Sequence, residues 1–223
     1  QSLAVLKHLS WVKESLRNKE ISLIGISGNH DKTAQEEVFA YPNLLNDNLF
    51  KIVDETHIED LGTVRVSFMS YYPEDGSCRD KIERLVSELK SNKKKGVKET
   101  LICHQGYNGG LSHKNATSNK ELPIEILEFF DTVLIGHYHN KNKIENDFDT
   151  DIWYTGSTHT SNYGEDNDKG FTILYDDGSI EFRNSIFPKY ETIKVELSDI
   201  NGKWMKEIKN HIKDSGNNVR LII

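Results

Sequence analysis

The chain has 223 residues with 35 acidic and 28 basic side chains, so its formal net charge is −7, and 36% of its residues are hydrophobic. This length is sufficient for one sizeable core. No apolar run approaches the roughly 18 residues that span a bilayer, so we expect neither a membrane segment nor a signal peptide. Two cysteines, Cys78 and Cys103, are too few for a disulfide framework, which favours a reducing, cytoplasmic location.

Helix and strand patterns alternate in the first part of the chain. Apolar residues at helical spacing over residues 3–16 predict a helix, and an apolar, β-branched run over residues 21–26 predicts a strand. Residues 51–53 and 64–68 then alternate as strands, and we expect them on either side of a turn at Gly62.

Strands dominate the later part. The predicted elements are a helix over residues 82–89, strands over 100–103 and 132–135 with a short helix over 123–130 between them, a strand over 152–155, and a hairpin of 171–175 and 180–187 about Asp177-Gly178. After Pro188 the pattern predicts a strand over 192–197, a helix over 204–212 and an apolar strand over 219–223.

Three apolar runs, over residues 21–26, 100–103 and 132–135, are each followed at once by potential metal ligands. Such runs are typical of buried parallel strands, and ligands in open α/β sheets lie beyond the carboxyl ends of the strands. Imidazole nitrogen and amide oxygen suit ions such as Mn, Fe and Zn. We therefore expect a divalent-metal site at one edge of the sheet. Gly136 should allow the backbone a sharp turn before His137, and Cys103 should pack in the core rather than bind metal. The expected ligands are Asn29, His104, His137 and His139.

These motifs resemble a known family. Gly28-Asn29-His30-Asp31, the lone His104 and Gly136-His137-Tyr138-His139 resemble the last three signature motifs of calcineurin-like metallophosphoesterases. A second set of segments is similar to the SbcD-type nuclease subunits, which process DNA ends together with a coiled-coil ABC ATPase: Tyr154-Thr-Gly-Ser157, Asn162-Tyr-Gly-Glu165 and Lys169-Gly-Phe171. The resemblance implies an α/β fold, a sandwich of two mixed β-sheets flanked by helices.

The family's first two motifs, Asp-x-His and Gly-Asp, do not precede Gly28. They supply ligands of the first metal and the carboxylate that bridges both ions, so we expect a chain truncated at its amino terminus. Residues 1–187 are then a metallophosphoesterase domain without its first strands. Residues 188–223 are the start of a small α+β capping domain, cut within a strand.

The resemblance also implies roles for individual residues. Asn29, His104 and His137 would hold one of two divalent ions and His139 would help to hold the other, with Mn expected and Mg, Fe or Zn possible. His30 would face the scissile phosphate as a general acid. Asp31 would accept a hydrogen bond from the His30 imidazole, and it could equally cap a following helix.

A Gly- and Asn-rich segment over residues 105–120 follows His104 and is either a substrate loop or simply a mobile surface loop. Tyr107 and His113 in it, and His159 further on, are candidate substrate contacts.

The diffuse negative charge lowers the expectation of a DNA substrate without excluding it. Expected partners are DNA, a second copy of the chain and an SbcC-type ATPase. Two alternatives stay open: a phosphatase or phosphodiesterase for small molecules or phosphoproteins, and a non-catalytic fragment or scaffold.

Overall fold

The computed structural model describes residues 3–32, 40–73, 77–107, 122–195 and 202–222. In chain order the elements are α1 (Leu3–Arg17), β1 (Leu23–Ile26), a 3-10 helix (Tyr41–Leu45), β2 (Phe50–Val53), β3 (Thr56–Asp60), β4 (Val64–Met69), α2 (Ser77–Ser91), β5 (Lys98–His104), a second 3-10 helix (Ile124–Phe129), β6 (Thr132–Gly136), β7 (Asn142–Lys143), β8 (Asp151–Tyr154), β9 (Gly170–Leu174), β10 (Ile180–Asn184), β11 (Tyr190–Lys194), α3 (Gly202–Ser215) and β12 (Asn218–Ile222). The protein therefore belongs to the mixed α/β class.

The chain forms two compact units. The first comprises Gln1–His137, Lys143–Tyr154 and Tyr175–Ser179, and the second comprises Tyr138–Asn142, Thr155–Leu174 and Ile180–Ile223. The domain boundary that the sequence predicts at Pro188 stays a prediction. Among the described residues, no helix combines the length and the apolar character needed to cross a membrane.

A six-stranded mixed sheet, in the order β3-β4-β5-β6-β8-β7, is centred in the first unit. Strands β4, β5, β6 and β8 run parallel, and His104 lies opposite Gly136 in the register of β5 with β6. The central strands are largely buried: β6 is a β-branched, apolar run, whereas in β4 the polar residues Arg65 and Ser67 are buried together with apolar ones. Cys103 is 0% exposed, which confirms its predicted place in the core, and this burial raises the pKa of its thiol.

Helix α2 packs on the core with an apolar face at helical spacing, as predicted. Its buried residues are Cys78, Ile82, Leu85, Val86 and Leu89. The predicted helix over residues 123–130 is also confirmed, as the 3-10 helix Ile124–Phe129 that follows Pro123.

The pairing predicted about Gly62 is wrong in one respect. The strand on the other side of that turn is β3, which pairs with β4 in antiparallel register, whereas β2 pairs in parallel with β1 in a separate two-stranded sheet. The sequence analysis overlooked β3 because its residues, Thr-His-Ile-Glu-Asp, are mostly polar. Gly62 does take the turn, with a positive φ of 86° that favours glycine.

The described residues of the second unit form two short pairs of strands. Strands β9 and β10 form the predicted antiparallel hairpin, although β10 ends at Asn184, earlier than expected. The predicted order of strand, helix and strand after Pro188 is confirmed as β11, α3 and β12. The two strands pair in parallel, which the sequence analysis did not predict. The last two residues of the predicted 192–197 strand, and residue 223, lie outside the described residues.

Candidate functional site

The carboxyl ends of β5 and β6 bring His104 and His137 together. The two strands are parallel neighbours, so the residue that ends β5 and the residue that follows β6 lie at one edge of the sheet. The imidazole centroids are 5.4 Å apart with an interplanar angle of 81°. This confirms that two of the predicted strand ends meet at one edge.

Asn29 reaches the same place from the other sheet of the first unit. It follows β1, which pairs with β2 alone among the described strands, yet its Oδ1 lies 3.1 Å from Nε2 of His104. Ligands that bind a transition metal at about 2.0–2.2 Å are roughly 3 Å from one another. The amide oxygen and the ring nitrogen are therefore close enough to share one ion.

Two glycines make room for the ring of His104. A Cβ atom on Gly28 would lie 2.9 Å from Cε1 and 3.1 Å from Nε2 of this ring, and one on Gly136 would lie 3.0 Å from Nδ1. Side chains at either position would displace the imidazole. Gly28 and Gly136, from two different motifs, thus have the same physical role: each leaves space for the ring of His104.

His137 has the unusual backbone at this site. Its φ is 108°, a conformation that costs a residue with a Cβ of order 1–3 kcal/mol. The sequence analysis assigned the sharp turn to Gly136. The positive φ belongs instead to the next residue, and Gly136 contributes space. A strained non-glycine residue at the end of a buried strand is a feature of functional sites.

Tyr71 completes the ring cluster, and the sequence analysis missed it. It is 4% exposed, its ring stacks on His137 with centroids 6.4 Å apart, and it makes a T-shaped contact with the ring of His104, also with centroids 6.4 Å apart. Its carbonyl oxygen accepts a hydrogen bond from Nζ of Lys32 at 2.7 Å, and burial lowers the pKa of that lysine. The available signal was its position, because Tyr71 follows β4, the parallel neighbour of β5.

The turn that presents Asn29 is closed by Asp31. The Gly28 N–H donates to Oδ2 of Asp31 at 2.8 Å, and the Asp31 N–H donates to the carbonyl of Gly28 at 3.1 Å. His30 is exposed on this turn. The predicted hydrogen bond between the His30 ring and Asp31 stays a prediction, and the predicted helix after Asp31 falls on residues 33–39, outside the described residues.

The segment after His104 begins with a buried residue. Gln105 is 0% exposed and exchanges two hydrogen bonds with the backbone of Tyr72, at 2.9 and 3.1 Å. Tyr107 lies beside Tyr154, with ring centroids 6.0 Å apart. His113 lies outside the described residues, so its predicted contact with substrate, like that of Tyr107, stays a prediction.

His139 belongs to the second unit, where it contacts Glu165. Its ring is 60% exposed, and Nδ1 lies 2.9 Å from Oε1 of Glu165, whose side chain is 9% exposed. Burial alone would raise the pKa of Glu165, but hydrogen bonds from Ser161 and His139 outweigh it and lower that pKa to about 2. Glu165 is therefore a carboxylate that accepts hydrogen bonds.

The main chain of His139 is also held firmly. Its carbonyl oxygen accepts hydrogen bonds from the backbone N–H of Ser157 at 3.0 Å and from Nζ of Lys169. Gly156 has a φ of 73°, and a Cβ there would lie 3.1 Å from the same carbonyl oxygen. Residues that the sequence analysis noted only as a motif thus converge on His139.

His159 is exposed and has a different set of neighbours. Its ring centroid lies 5.9 Å from that of Phe187, and its carbonyl oxygen accepts a hydrogen bond from Oγ of Ser157 at 2.8 Å. Nothing in these contacts requires an imidazole. Its predicted role in binding substrate stays a prediction.

The donors present fit part of a metal site. Asn29, His104 and His137 offer two imidazoles and an amide oxygen, which are neutral ligands suited to first-row transition metals. Within the part of the chain that the structure describes, no three His, Cys, Asp or Glu side chains form a metal-binding group. No protein-family model matches the chain.

Proposed function

We propose that this chain is part of a metal-dependent phosphodiesterase, the DNA exonuclease subunit of an SbcCD-like repair and recombination complex. The observation that carries the proposal is that three residues from separate strand ends lie together: Asn29, His104 and His137. Two motif glycines leave the space that the His104 ring occupies. Each of the three residues lies in a motif that resembles the metallophosphoesterase family, and their proximity supports the proposal.

The proposed fold is the metallophosphoesterase sandwich of two mixed sheets. Its support is the contact between the β1–β2 sheet, through Asn29, and the six-stranded sheet, through His104. A substrate site built where two sheets meet receives ligands from both layers. This would explain why the three donors come from segments far apart in the chain.

In this proposal Asn29, His104 and His137 hold one divalent ion and His139 helps to hold a second, with Mn²⁺ as the expected metal. When bound, such ions supply Lewis-acid stabilisation of a phosphoester and a water that is more readily deprotonated. The chain's own groups act around them. His30, exposed next to Asn29, would hold a proton for the leaving oxygen, while Tyr71 keeps the His137 ring in place by stacking.

Metal binding and hydrolysis can be measured on the same protein. We expect calorimetric titration with Mn²⁺ to show binding that His137→Ala abolishes. His211→Gln is the matched control, because it also removes an imidazole, one that pairs with Glu191 at the exposed surface. Because no Asp-x-His or Gly-Asp motif precedes Gly28, hydrolysis requires the corresponding carboxylates from another source; where it occurs, linear duplex DNA should be degraded from its ends with the wild-type chain and with the control, and not with His137→Ala.

Each alternative gives its own pattern in these assays. Cleavage of a small aryl phosphodiester or a phosphopeptide, with duplex DNA left intact, would favour a phosphodiesterase or phosphatase over the nuclease. Metal binding without any hydrolysis would favour a non-catalytic fragment or scaffold that dimerises or binds the ATPase. If Mn²⁺ does not bind, or binds equally to His137→Ala, the proposal is wrong for this chain.

A further inference from the structure

Glu165 is a nearly buried acid beside an exposed histidine. Its side chain is 9% exposed, against 60% for His139. Among the described residues, the other groups that contact its carboxylate oxygens are donors: the backbone N–H of Ser161 at 3.2 Å, Oγ of the same serine, Nδ2 of Asn162 at 2.7 Å and Nζ of Lys169 at 3.2 Å. Such surroundings suit a carboxylate, which only accepts hydrogen bonds.

Lys169 provides the opposite charge. Its side chain is 3% exposed, and its ammonium group also donates to the carbonyl of His139 and to Oδ1 of Asn140. A buried ammonium and a buried carboxylate in contact stabilise each other's charged forms. The pair is therefore an ionic element in the segment before β9, in contact with the loop that carries His139.

The contact with an acceptor determines which nitrogen of His139 carries hydrogen. Nδ1 lies 2.9 Å from Oε1 of Glu165. Because the carboxylate cannot donate, Nδ1 must be the donor. A neutral imidazole carries one N–H, so its Nε2 then has the free electron pair.

We propose that Glu165, backed by Lys169, is a positioning residue that fixes the His139 ring in its Nδ1–H form and leaves Nε2 as the free ligand atom. The ligand class for Nε2, a divalent transition metal, rests on the proposed function, whereas the tautomer does not. Carboxylates that accept a hydrogen bond from the far nitrogen of a histidine orient the ring and increase its basicity toward a metal.

Nitrogen NMR of the imidazole rings tests the tautomer directly. In the neutral form of the ring, we expect His139 of the wild-type chain to show a protonated Nδ1 and an unprotonated Nε2. The His139→Gln variant identifies the signals. A protonated Nε2, or fast averaging between the two forms, would overturn the proposal without any need for a Glu165 variant.

The Glu165→Gln variant tests the cause. An amide can donate or accept, so His139 should lose its preference for the Nδ1–H form, and Glu165→Asp, which keeps a carboxylate, should restore it in part. The control is Glu191→Gln, which removes the carboxylate that pairs with His211 at 2.7 Å. That change should alter the signals of His211 and leave those of His139 as they were. A His139 tautomer that is the same in Glu165→Gln as in the wild type would show that Glu165 does not set it.

Metal titration separates this inference from the proposed function. If the chain binds Mn²⁺, Glu165→Gln should weaken binding about 10–100-fold, and unchanged affinity would refute the positioning role. A wild-type chain that has the Nδ1–H form but binds no Mn²⁺ would defeat the proposed function and leave the assignment of the tautomer standing. Binding of Mn²⁺ with the Nε2–H form would defeat only the inference.

Discussion

The substitution Gly28→Ala places a methyl group against the ring of His104. The new Cβ would lie 2.9 Å from Cε1, 3.1 Å from Nε2 and 3.2 Å from Nδ1. Carbon atoms in contact are ordinarily 3.5–4.0 Å apart, so the ring must retreat by about 0.6–1.1 Å. Because Nε2 of this ring is the atom that lies 3.1 Å from Oδ1 of Asn29, the donor pair is displaced with it.

This substitution should lower both the free energy of unfolding and the affinity for Mn²⁺. Forcing extra volume into a packed site destabilises the folded protein by about 1–3 kcal/mol. Alanine also reduces the conformational entropy of the unfolded chain relative to glycine, which stabilises the folded protein by about 0.4–1 kcal/mol. We therefore expect a net loss of about 1–2 kcal/mol in the free energy of unfolding. Displaced ligand atoms should also weaken Mn²⁺ binding by about 10–100-fold, the range found when a ligand loses its support.

Urea denaturation and calorimetric Mn²⁺ titration measure the two effects. The matched control is Gly96→Ala, since Gly96 has a φ of 78° and nothing lies within 4 Å of the added Cβ. Its cost is backbone strain alone, about 1–2 kcal/mol, so it matches Gly28→Ala in lost stability while leaving His104 untouched. If Gly28→Ala kept both the stability and the Mn²⁺ affinity of the wild type, the ring would not be confined by this glycine and the reasoning would be refuted.

Three further predictions concern other parts of the first unit. His137→Gly should be more stable than His137→Ala by about 1–3 kcal/mol in urea denaturation, because only glycine accepts a φ of 108° without strain; equal stabilities would contradict this. Arg65→Met should cost about 3–5 kcal/mol by leaving the buried Glu99 unpaired, and adding Glu99→Met should restore most of the loss; a double variant no better than the single one would refute it. The hydrogen bond from Lys13, together with backbone N–H groups, holds the pKa of Asp47 below its ordinary value. Its stabilisation is therefore complete above the ordinary carboxyl pKa and is lost as the pH falls below it, so the advantage of the wild type over Asp47→Asn should shrink between about pH 5 and pH 2; a constant difference would exclude this linkage.

The sequence alone was sufficient to predict the main strands of the six-stranded sheet. The apolar runs that end at Cys103 and Ile135 predict β5 and β6, because strands buried on both faces need apolar residues at nearly every position. It was insufficient for β3, where the alternation is weak and the strand is recognisable only by its pairing with β4. Periodicity also could not indicate that β1 would pair with β2 in a sheet of its own, since both strands have similar local patterns.

The sequence by itself determined the kinds of donor atom at the candidate site and their position directly after buried strands. Only the tertiary structure decided which of them meet: Oδ1 of Asn29 and Nε2 of His104 are separated by 75 residues in the chain. It also placed Tyr71 against both imidazoles and Glu165 against Nδ1 of His139. The physical reason is that periodicity and turn chemistry act over a few residues, whereas contacts across sheets and loops are set by how the layers pack.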